Sequence, residues 1–74
     1  MNLYCIRDLL AKESGPLFEA KNDGVACRMY SGVNLPGDSN DFELLFIGSY
    51  DHDKSVIKPV NPPVRVVSST NVED

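Results

Sequence analysis

The sequence predicts an α+β fold: one short helix packed on a three- or four-stranded, mainly antiparallel sheet. Three observations predict it. Residues 22–33 form a capped amphipathic segment, strand-forming runs stand at residues 2–7, 42–47 and 55–60, and the connections between them are rich in Gly, Pro, Asn and Asp. The length of 74 residues allows one domain at most. A domain this short buries a smaller share of its chain than a large one, so association with a second copy would add stability. Apolar residues make up 42% and charged residues 24% of the chain, which is the balance of a globular protein and not of a disordered one.

Asn2 to Arg7 begins the chain with strand formers and reads as a first strand. Asp8 to Ser14 is polar around the pair Leu9-Leu10 and reads as a helical turn broken by Gly15-Pro16, with Leu17 to Lys21 a brief extended segment. The helix follows over about residues 23–33. Asn22 or Asp23 can accept from an orphan amide of the first turn, and Asp23 also lies favourably against the positive end of the helix dipole. At 100° per residue, Val25, Ala26, Met29, Tyr30 and Val33 share one arc, whereas Cys27 and Arg28 lie off it. Gly32 is expected to stop the helix in a left-handed conformation.

Residues 34–40 have the composition of an exposed, mobile loop. In the run Phe42 to Ile47, Phe42, Leu44 and Phe46 face one way and Leu45 and Ile47 the other, and only Glu43 is charged. Such a strand is central and covered on both sides, by the helix on one face and a second subunit on the other. Tyr50 to Ser55 is a reversal in which Asp53 or Lys54 is expected to take the strained conformation, since the turn has no glycine. Ser55 to Val60 returns as the hairpin partner. Pro59, Pro62 and Pro63 break the ladder, and Val64 to Val67 supplies one last edge strand. Residues 1–67 form the globular domain, with 68–74 a disordered acidic tail that has almost nothing to bury.

Seven basic against eleven acidic residues give a net charge of −4, and nine acids against seven bases remain without Glu73 and Asp74. A nucleic-acid protein usually shows the opposite balance, because phosphate neutralisation supplies much of its affinity. No apolar run approaches the roughly 20 residues that span a bilayer, and the N-terminal segment lacks the pattern of a secretory signal. The expected setting is therefore a reducing cytoplasm without membrane contact, with Cys5 and Cys27 as free thiols, Cys5 in the core and Cys27 on the accessible helix face.

Three blocks carry a family resemblance: Tyr4-Cys5-Ile6-Arg7-Asp8; Gly15-Pro16 to Phe18 with Asn22 through Tyr30; and Asp41-Phe42-Glu43-Leu44 with Ile47 through Asp51. Together, in this order, they resemble the small non-structural protein of gokushoviruses, the single-stranded DNA microviruses of bacteria, a family usually described as DNA-binding. The resemblance covers about residues 1–60. It departs at Lys54-Ser55, where members commonly carry a glycine, and at a shorter loop over 34–40. It implies a non-enzymatic role in the host-cell cytoplasm, binding single-stranded DNA or the viral replication complex at the switch from duplex replication to single-strand synthesis and packaging. It supplies no catalytic residue.

For a chain of that kind the candidate phosphate contacts are Arg28, Arg7, Lys21, Lys54 and Lys58, with Tyr50 free to stack on an unpaired base. Arg28 leads, because a planar fork on the outer helix face can make two parallel bonds to phosphate. Tyr30 belongs to the apolar arc. The same cations also read as scattered solubilising charges, and the partner is then a viral initiator or host replication protein bound without DNA. Asp51-His52-Asp53 reads as a solvated turn, since no other histidine is present to complete a metal site. Neither cysteine has a partner in sequence that would make it a nucleophile, and nothing in the chain calls for a cofactor.

Overall fold

The computed structural model describes residues 1–33 and 39–66. The elements run β1 (Asn2–Asp8), β2 (Glu13–Ala20), α1 (Asp23–Ser31), a 3₁₀ turn (Ser39–Asp41), β3 (Phe42–Asp51) and β4 (Val56–Arg65). The four strands form one antiparallel sheet in the order β2-β1-β3-β4. The predicted α+β class is therefore observed, with four strands and β1 and β3 inside. Consecutive strands pair as hairpins except β2 and β3, which flank β1; α1 lies in that connection.

The helix face of the sheet holds the core. Tyr4, Ile6, Ala20 and Leu44 are buried against Ala26, and Phe18, Val25, Cys27, Tyr30, Phe42, Phe46 and Val66 pack around them. Tyr4 is fully buried, with its ring centroid 5.9 Å from that of Phe18 and 5.6 Å from that of Phe46. Its hydroxyl donates to Asp23 Oδ1 at 2.6 Å and accepts from Asn2 Nδ2 at 3.0 Å. One side chain thus ties the centre of the sheet to the first turn of α1.

Several local expectations are corrected. Asp8 to Ser14 is not a helical turn: Asp8 Oδ1 accepts from the amides of Leu10 and Ala11, Lys12 takes a φ of 58°, and the chain reverses at once into β2. Gly15-Pro16 does not break the chain but lies within β2. The register jumps there from Leu17 opposite Cys5 to Ser14 opposite Arg7, a bulge on an edge strand, where a missing N–H is tolerated. The helix is capped by Asn22, whose side chain accepts from Val25 N, as expected.

Gly32, however, is right-handed at φ −89°, and its amide and that of Val33 tighten the last turn onto Met29 and Tyr30 carbonyls. The buried stripe is also rotated relative to the expected arc. Ala26, Cys27 and Tyr30 face the sheet, which leaves Met29 and Val33 exposed and makes Cys27 half-buried instead of outward.

In the β3–β4 turn Ser55, not Asp53 or Lys54, takes the left-handed conformation, at φ 57°. Asp51 explains this: its side chain accepts from the amides of Asp53 and Lys54 and its carbonyl accepts from Ser55 N, so the chain rejoins the sheet at Ser55. The segments 55–60 and 64–67 belong to one strand within the described residues. Phe46 pairs with Val64 and Gly48 with Pro59, so residues 60–63, with two of the three prolines, form an excursion opposite Ile47. Gly48 makes the close approach possible, since a Cβ there would lie 2.5 Å from the Lys58 carbonyl oxygen. Residues 34–38 of the expected loop and the expected tail at 68–74 lie outside the described residues.

Candidate nucleic-acid interface

Register fixes where the candidate cations stand. Ala20 pairs with Asn2, Asn2 with Ser49 and Ser49 with Lys58, so one row crosses all four strands, with Lys21 one residue beyond its β2 end. Tyr50 follows Ser49, and Lys54 lies in the turn that closes this end of the sheet. Lys21, Tyr50, Lys54 and Lys58 are therefore brought to one end, across a width of about 14 Å at the usual ~4.8 Å between strands. All three lysines are exposed, and Tyr50 is half-buried with its ring 4.8 Å from that of His52. The Met1 nitrogen donates to the Tyr50 carbonyl at 2.7 Å at the same end.

Three of the four carboxylates at this end are engaged internally, and the fourth, Asp53, is exposed beside Lys54. Glu19 pairs with His52, Asp23 accepts from Tyr4, and Asp51 caps its turn. The tripeptide Asp51-His52-Asp53 is thus a turn whose imidazole reaches across to β2, and among the described residues no group of three His, Cys, Asp or Glu side chains is placed to hold a metal ion.

Arg7 and Arg28 stand apart from the lysines. Arg7 pairs in register with Glu43, and six residues of β3 separate Glu43 from the Lys58 partner Ser49, a distance of about 20 Å along the strand. Arg28 is exposed in the last turn of α1, where a cation also interacts favourably with the negative end of the helix dipole. The six candidates are not one patch: four share the end of the sheet and two do not.

Arg65 was not among the candidates, yet it lies beside Arg7 across Glu43, with its Nε 3.7 Å from Glu43 Oε1. Only the β3–β4 register brings it there, and the alternation Val64-Arg65-Val66 was the one sequence signal that it points away from the valines. Tyr30 lies in the core as expected. Burial, and then the nearby Glu43, push its hydroxyl pKa above 10.0, with Arg65 opposing. Both cysteines are free thiols, Cys5 buried. Among the described residues, no helix is long and apolar enough to cross a membrane.

The sequence model of a family described as Phage ORF5 protein covers residues 1–72, and the chain belongs to that family. No curated protein and no solved structure matches.

Proposed function

We propose, from membership of the Phage ORF5 protein family, that this chain is a non-enzymatic bacteriophage accessory protein that binds single-stranded DNA or the viral replication complex in the host cytoplasm. Its contact lies at the lysine-bearing end of the sheet. The observation that carries the reading is that Lys21, Lys54, Lys58 and Tyr50 stand at one end of the sheet, with Lys58 on the helix face and Tyr50 on the other. Lysines neutralise phosphates without reading sequence, and a partly exposed ring stacks on any base, so the site suits unpaired DNA of any sequence. The resemblance to gokushovirus non-structural proteins supports a place at the switch from duplex replication to single-strand synthesis and packaging.

Fluorescence anisotropy of a labelled single-stranded oligonucleotide over a salt series tests it. Three lysine contacts give a log–log salt slope of about −2, from about −0.7 per phosphate on single strands. The variant with Lys21, Lys54 and Lys58 all changed to Gln loses that slope, and Tyr50→Ala weakens binding by about 1–3 kcal/mol. No binding at low ionic strength refutes direct contact.

The net charge of −4, with Arg7 and Arg28 remote from the lysines, favours a second reading. In it the chain docks on the viral initiator or a host replication protein and touches no DNA. Pull-down from nuclease-treated infected cells separates the two, because a protein partner survives the treatment.

A further inference from the structure

The sheet has a second face that α1 does not cover. Register partners in an antiparallel ladder share a face, which places Leu17, Cys5, Leu45 and Arg65 in one row of it, Glu19, Leu3, Gly48 and Pro59 in the next, and Tyr50 with Ile57 beyond. Its middle is apolar. Leu17 and Ile57 are 58% and 57% exposed, and between them lies a cleft of about 450 Å³ floored by Leu3.

The charges on this face are polarised along the strands. Arg7 stands on the far side of the Cys5 row, and its side chain makes no hydrogen bond or ion pair among the described residues, its register partner Glu43 being paired with Arg65. Glu19 stands on the near side, opposite Leu3, where one of its carboxylate oxygens pairs with His52 of the same chain and the other stands outside that pair.

We propose that this face binds a second copy of the chain, as a two-fold sandwich in which strands of the two sheets run antiparallel across the interface. The axis runs across the strands along the Leu17–Cys5–Leu45 row. A rotation about it carries Arg7, two residues to one side of Cys5, to the level of Leu3, two residues to the other side. There it faces the row that holds Glu19 of the other copy. Arg7 thereby gains the partner it lacks, twice by symmetry, and the exposed Leu17 meets its own counterpart at the axis. Sheets packed face to face stand about 10 Å apart, a gap an arginine side chain spans. The alternative axis, parallel to the strands, brings Arg7 level with Arg7 and Glu19 with Glu19, so charge selects between them. The proposal does not rest on the proposed DNA contact, although Tyr50 stands at the margin of the same face.

Sedimentation equilibrium over a concentration series tests it. The full chain is expected at twice its mass of 8.2 kDa. Leu17→Glu, at an exposed position that does not burden the monomer, sediments at the mass of one chain. Arg7→Glu raises the dissociation constant about tenfold by setting two carboxylates together at each end, and adding Glu19→Arg to it restores the wild-type constant. A wild-type chain that stays monomeric, or a folded Leu17→Glu that sediments as the wild type does, overturns the dimer. A folded double variant that stays as weak as Arg7→Glu overturns the axis.

Discussion

Replacing Tyr4 by Phe keeps the ring between Phe18 and Phe46 and removes only the hydroxyl that joins Asp23 and Asn2. A hydrogen bond to a charged group contributes about 1.5–3 kcal/mol net. Asp23 is exposed, so water can re-solvate it in the variant and the lower limit applies. The neutral bond from Asn2 adds about 0.5 kcal/mol, for a total loss of about 2 kcal/mol. A chain of 74 residues has a stability of about 4–11 kcal/mol at the usual 0.05–0.15 per residue, so the loss is a large share. Thermal unfolding followed by circular dichroism should fall by about 8–16 °C.

The same hydroxyl sets an alkaline limit. Burial, and then the hydrogen bond to Asp23, raise its pKa above 10.0 in the folded chain. The unfolded chain releases this proton near pH 10.0 while the folded chain retains it. The stabilisation is complete below that pH and is lost as the pH rises towards the folded-state value. Tyr4→Phe therefore flattens part of the alkaline decline in urea midpoint, and Tyr30, raised in the same direction, contributes a further part. A Tyr4→Phe variant within 0.5 kcal/mol of wild type, by the ~1 kcal/mol scale of such bonds, would refute the tie between sheet and helix.

Gly48→Ala places a Cβ 2.5 Å from the Lys58 carbonyl oxygen, so the β3–β4 hairpin must part; a loss of about 2–3 kcal/mol in a denaturant melt is expected. Asn22→Ala removes the acceptor for Val25 N and costs about 1 kcal/mol by the same measurement. Ser55→Gly relieves a left-handed φ of 57° and raises the denaturant midpoint by the equivalent of about 0.5 kcal/mol at unchanged slope, the relief exceeding the glycine entropy cost.

The sequence was most legible where one local rule acted alone. Asn22 capping a helix and the alternation of Phe42, Leu44 and Phe46 depend only on neighbours in the chain, and both stand in the structure. Gly15-Pro16 was misleading because breaker residues are neutral on hydrogen-bond supply: whether they end a strand or bulge it depends on the partner strand, here β1, and no local rule contains it. Cys27 faces inward for a similar reason. A nine-residue helix shows too few turns to fix its buried stripe to better than one position, and packing against the sheet selects Ala26, Cys27 and Tyr30. The grouping of Lys21 with Lys58, 37 positions apart in sequence, and of Arg7 with Arg65 is a property of register alone.

The two-fold sandwich and the lysine site make a joint demand on binding. The row carrying Lys58 lies three residues from the Cys5 row along the strands, so the axis places the equivalent row of the second copy three residues beyond on the other side. The lysine ends of a dimer are then at least about 20 Å apart, at opposite ends of the sandwich. A weak site with three lysines gains from such duplication, since a strand long enough to reach both ends binds the second at high effective concentration. Monomeric Leu17→Glu should therefore bind a short oligonucleotide as the wild type does and lose about tenfold or more on a long single strand, measured by anisotropy in the same buffer. Equal losses on both lengths would place Leu17 in contact with DNA itself, and equal affinities on both would leave the lysine ends acting singly.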